Sequence, residues 1–142
     1  FLTRFASAVD AFPMPIGLFN NLVTSKDQGD ALDLKKGGIF PIVHGVRALA
    51  IDRGCHDVGT AARIRRLADD GALKHQFATE LVEALHFLMT LRLDSQLAET
   101  ASGSLVRPAQ LSTMERDLLR DALHIAKRLR EIVRFHFNLA MF

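Results

Sequence analysis

The strongest constraint on this chain is the apolar pattern of its last 30 residues or so. Leu118, Ala122, Ile125, Leu129 and Ile132 recur at the spacing of one helical face, and Leu119, Leu123, Ala126 and Val133 form a second strip beside them. A stripe that wide belongs to a helix packed against more than one neighbour, so other helices must cover it. They are present in the sequence. Ile39, Ile42, Val43, Val46, Leu49 and Ala50 follow the i, i+3, i+4, i+7 template. Phe77, Leu81, Ala84, Leu85 and Leu88 mark one side of a long helix over 75–98, and Ala61, Ile64, Leu67 and Ala68 the inward face of a short one. Leu2, Phe5, Val9 and Phe12 predict a first helix that stops at Pro13-Met14-Pro15. No stretch alternates apolar and polar residues with β-branched enrichment. The expected fold is all-α, an antiparallel bundle of four to five helices.

Local signals place the helix ends. Gly37-Gly38 is expected to open the second helix, with Pro41 in its first turn, where a missing N–H costs nothing. Gly54 suits the left-handed position after that helix, Thr60 is placed to cap the next, and Gly71 ends it. Residues 16–32 read as a connector containing Gly17 and Gly29, and Ser102-Gly103-Ser104 with Pro108 as a loop. Ser112-Thr113-Met114-Glu115 is a capping-box sequence, in which the serine hydroxyl takes an orphan N–H and the glutamate reaches back.

Composition narrows the chemistry. Trp and Tyr are absent while Phe occurs ten times, so the aromatic content serves packing and offers no phenol. The single cysteine, Cys55, excludes an internal disulfide and fits a reducing cytoplasm. No apolar run approaches the roughly 20 residues that span a bilayer, so no membrane contact is expected. The opening Phe1-Leu2-Thr3-Arg4-Phe5 leads into no apolar segment with a small-residue cleavage site, and no signal peptide is expected. Both ends are apolar, as in a piece cut from a larger protein.

Several constellations could carry chemistry. Glu83-x-x-His86 and Asp121-x-x-His124 resemble the carboxylate–histidine pairs of di-metal bundles, but both fall off their core stripes and read as solvated surface pairs. His136 falls on the core-facing line and reads as a hydrogen-bonded core histidine. Cys55 follows a helix end, where the dipole raises a thiol pKa. The net charge of +2 is small, and the arginines of the last helix are spread around it and interrupted by acids, which disfavours nucleic acid. Asp33-Leu34-Lys35-Lys36-Gly37-Gly38 is different: two glycines and a lysine at a helix start suit a tight turn or a bound anion, and both readings stay open.

Asp33-Leu34-Lys35-x-Gly37-Gly38, Pro41-Ile42-Val43 and Arg47-Ala48-Leu49-Ala50 resemble the start of the nucleotidyltransferase substrate-binding domain family. Thr60-x-x-Arg63, Arg92-Leu93-x-x-Gln96 and Leu111-Ser112-x-x-Glu115-x-x-x-Leu119 follow in the same order, so the resemblance spans about residues 30–135. The first element is also similar to a D-[IL]-K-x-G-x-G-G element in enzymes that adenylylate glutamine synthetase or uridylylate its regulator, and is one Gly-x step shorter.

The resemblance implies a domain arrangement and a division of labour. Residues 1–29 would be a connector from an upstream nucleotidyltransferase domain of the same polypeptide, and residues 30–142 a helical substrate-binding domain without catalytic residues. The upstream domain would hold Mg²⁺ and a nucleoside triphosphate, while this one positions an acceptor, protein or small molecule. Substrate-binding candidates on that basis are Lys35, Gly37, Gly38 and Arg47, followed by Arg63, Arg92 and Gln96. Family members occur in bacterial signal-transduction proteins with cyclic-nucleotide-binding and CBS domains. The alternative is therefore a regulatory or dimerisation module coupling such sensors to an enzyme, a homodimer forming through an exposed strip at Leu119 and Leu123 and the apolar tail Phe137–Phe142.

Overall fold

The computed structural model describes residues 1–17, 22–24, 31–97 and 105–139. Among them lie five α-helices: α1 (Leu2–Ala6), α2 (Phe40–Asp52), α3 (Thr60–Asp69), α4 (His75–Leu97) and α5 (Thr113–His136). The all-α bundle expected from periodicity is the observed architecture. Phe77 and Glu80 near the start of α4 meet Arg128 near the end of α5, so these two longest helices run antiparallel. The α2 helix packs on α5 and α3, α3 on α4, and α1 on α2. Their inward residues merge into one apolar core that holds no buried polar side chain among the described residues.

Helix ends follow the local chemistry. The box at the start of α5 is complete: Glu115 N–H donates to Ser112 Oγ at 3.1 Å, and Ser112 N–H donates to Glu115 Oε1 at 3.0 Å. Ser112→Ala should cost about 1 kcal/mol of unfolding free energy in urea titrations; no change in midpoint would mean that packing alone sets the start of α5. The α2 and α3 helices end in Gly54 and Gly71 at φ of +68° and +81°. After each, a pair of N–H groups turns back onto the last carbonyls, Cys55 to Ala50 and Ala72 to Leu67 among them.

Several expectations need correction. The wide face of α5 is centred one residue away from the reading above. Leu119, Ala122, Leu123, Ala126, Leu129 and Val133 are buried, whereas Leu118 is half exposed and Ile125 and Ile132 are partly covered. Leu119 and Leu123 therefore form no exposed strip, being fully buried in this chain's own core. His136 is no core residue; its Nε2 lies 2.7 Å from Asp52 Oδ2 at the surface, joining the ends of α5 and α2. The first helix is shorter than expected, passing after Ala6 into a 3₁₀ turn over Ser7–Asp10. Gly59, not Thr60, precedes α3, and Arg63 N–H donates to its carbonyl.

The largest correction concerns Gly37-Gly38. The pair does not open a helix. The helical run begins at Leu34 and passes through a π-helical turn, Lys35–Ile39, before continuing as α2. Phe40 N–H bonds back five residues to Lys35 C=O, and Pro41, which has no N–H to give, follows directly. The turn packs against both α4 and α5. A short antiparallel ribbon, β1 (Leu32–Asp33) with β2 (Leu105–Val106), pairs Leu32 with Val106 and leads into that turn. Two residues per strand are too few for alternation to register in the sequence. Gly29, Ser102-Gly103-Ser104 and residues 140–142 of the apolar tail lie outside the described residues.

Candidate functional site

Both glycines of the Asp33–Gly38 element are buried, each facing a close neighbour. A Cβ on Gly38 would stand 2.8 Å from Leu88 Cδ1 and 3.2 Å from Leu123 Cδ2, inside the core. A Cβ on Gly37 would stand 2.7 Å from Cγ of Pro15. The pair thus lets the π-helical turn press on α4 and α5 with one glycine and on the Pro13–Pro15 segment with the other.

Where Gly37 meets Pro15, an open cleft of about 440 Å³ forms. Phe12, Pro13, Met14 and Pro15 line one side, Val23 and Thr24 another, and Ala31, Leu32, Asp33, Lys36 and Gly37 the third. The walls are mostly apolar, with Asp33 and Lys36 as the charged groups. Asp33 Oδ1 accepts from Lys36 N–H at 3.0 Å, so the carboxylate already occupies a free amide of the helix start. The Lys36 ammonium sits 5.4 Å from the centre of the Phe12 ring and makes no ion pair among the described residues. Phe12 packs edge-on against Phe40, which stacks on His44, which stacks on Phe5. The cleft wall is therefore the end of a ladder of rings between α1 and α2, braced further by the Asp10–Arg130 ion pair at 2.8 Å. Its chemistry suits a ligand with a flat apolar part and an anionic group.

The predicted site residues do not converge. Gly37 lines the cleft and Gly38 lies behind it in the core, while exposed Lys35 is outside the lining. Arg47 is exposed on α2, about 16 Å along the helix from Lys36 at 1.5 Å per residue. Arg63 Nε donates to Asp57 C=O at 3.1 Å, which fixes the loop entering α3. Arg66 reaches the same residue, and Asp57 raises its pKa, first through a hydrogen bond and then through charge. Arg92 is half buried with Nε unpartnered, and Gln96 is exposed near the end of α4. Asp33 and Lys36 belong to the quoted element but not to the substrate-binding candidates, and they line the cleft with the Phe12–Pro15 wall, which no sequence signal marks as a site. In the sequence the Pro13-Met14-Pro15 run signals only a helix stop.

Among the described residues no group of three or more His, Cys, Asp or Glu side chains could hold a metal ion. No described helix is long and apolar enough to cross a membrane. No curated protein and no solved structure matches the chain. A family model described as "putative nucleotidyltransferase substrate binding domain" matches residues 1–137, nearly the whole chain, and the chain belongs to that family.

Proposed function

We propose that the cleft between the Pro13–Pro15 segment and the Asp33–Gly37 turn holds the acceptor for a nucleotidyltransferase domain of the same polypeptide. The observation that carries this reading is the convergence of a free ammonium, an aromatic face and an apolar wall on the element that carries the family resemblance. Chemistry then belongs to the partner domain, which would bring Mg²⁺ and the nucleoside triphosphate. This chain contributes proximity, holding the acceptor so that the attacking group meets the triphosphate in line. Asp33 fixes the backbone from which Lys36 extends, and Lys36 neutralises an anionic group of the acceptor. Placement in a bacterial cytoplasmic signalling protein with cyclic-nucleotide or CBS sensors is part of the same proposal and rests on the resemblance alone.

A nucleic-acid reading finds less to stand on. Arg120, Arg128, Arg130 and Arg134 on α5 are all ion-paired with Asp117, Glu80 or Asp10. A phosphate backbone would have to compete for them.

Phenyl phosphate is the simplest probe with a ring and an anion. In a methyl-labelled NMR titration it should shift Met14, Val23 and Leu32 and leave Ile64 and Leu67 in place, and Lys36→Ala should weaken binding about tenfold. Shifts confined to other regions would remove the cleft from consideration.

A further inference from the structure

On the far side of the bundle an open groove of about 620 Å³ runs between α4 and α5. Two buried small residues, Ala84 and Ala122, make it deep, while Phe87, Leu118 and Ile125 give it an apolar lining. Leu118 is 49% exposed there, although it belongs to the helix that carries much of the core. Glu83 stands on the α4 wall and Asp121 on the α5 wall. Neither has an ion-pair partner among the described residues. The one cation of the groove, Arg128, is already engaged by Glu80 at 3.5 Å and by the Phe77 ring at 4.6 Å. The Nε2 atom of His124, also on the lining, is buried without a hydrogen-bond partner.

We infer that this groove receives an amphipathic helix of a partner, apolar along its centre and carrying Lys or Arg on both flanks. Two antiparallel helices leave between them a channel into which a third packs by ridges and grooves. The acids lie where flanking charges of a packed helix fall, one on each side. The attraction is local, because the chain as a whole carries a net charge of +2 and repels a cationic partner elsewhere. A second copy is disfavoured by the same acids, since two such faces laid together would set acidic rims against acidic rims.

The test uses a labelled peptide of about 18 residues, with leucines at helical i, i+3, i+4 and i+7 spacing and lysines flanking them, read by fluorescence anisotropy against the 142-residue chain. A matched peptide carries glutamates at the flanks. The lysine peptide should bind, and the double variant Glu83→Lys/Asp121→Lys should weaken it at least about tenfold while gaining affinity for the glutamate peptide. Both positions are exposed, so unchanged circular dichroism and melting temperature will show that the variant folds. Equal affinity for the two peptides, indifference to the reversal, or no binding up to about 1 mM would overturn the inference. So would a concentration-dependent dimer that Ile125→Asp abolishes, because it would place a second copy in the groove.

Discussion

Gly38→Val is expected to destabilise the protein by about 3 kcal/mol, lowering the melting temperature by roughly 10 °C for a chain of this size. The sign is informative because the ordinary expectation is opposite in part. In an unobstructed helix, replacing glycine by alanine gains about 1 kcal/mol through backbone entropy. Here a Cβ would already sit 2.8 Å from Leu88 Cδ1 and 3.2 Å from Leu123 Cδ2, and both leucines are fully buried. Valine adds two further methyl groups at the same point. The clash has a specific partner, so the cost should be conditional. In a Leu88→Ala background Gly38→Val should cost less than half as much, a coupling that urea denaturation of all four variants would resolve. If Gly38→Val leaves the midpoint unchanged, the glycine faces open space and the π-helical turn does not press on α4.

The second large effect separates the two apolar strips of α5. Leu123→Ala should cost about 2–5 kcal/mol, because Leu123 is fully buried beside Gly38 and its removal leaves a cavity that rigid neighbours cannot fill. Leu118→Ala, at a position 49% exposed, should stay within about 1 kcal/mol. Equal losses would mean that Leu118 is covered in solution, which would put a bound partner or a second copy in the α4–α5 groove.

That contrast also shows what the sequence could and could not convey. The two strips of α5 lie one residue apart, and a helical wheel of an isolated segment assigns both to the apolar side. Which of them points inward is decided by the elements packed on α5, with Gly38 of the π-helical turn against Leu123 and Gly45 of α2 against Val133 and Leu129, and no local pattern contains that information. By contrast, the ends of α2, α3 and α5 are set by residues adjacent in sequence, so Gly54, Gly71 and the Ser112–Glu115 box were legible directly.

The same division holds for the site. Several residues that carry the family resemblance have structural duties in this chain: Gly37 and Gly38 permit close packing, Arg63 fixes a loop, and Ser112 and Glu115 cap a helix. The motif draws attention to Lys35, whereas the cleft of the proposed reading is lined by Lys36. In a helix-opening loop Lys35 and the glycine amides would face a ligand together. In the continuous turn from Leu34 it is Lys36, held through its own N–H by Asp33, that lines the cleft. The opposite wall, Phe12 to Pro15, is some 20 residues away in sequence, beyond the reach of any local motif.

The most direct test of the central claim is transfer of an α-phosphate label from a nucleoside triphosphate to acceptor, carried out with the chain joined to the nucleotidyltransferase domain that the proposal requires. Lys36→Ala should raise the KM for acceptor about tenfold or more with the KM for nucleotide and the melting temperature nearly unchanged, while Lys35→Ala stays close to wild type. Equal, wild-type kinetics for both variants, or a rise confined to the nucleotide KM, would contradict an acceptor cleft at Lys36.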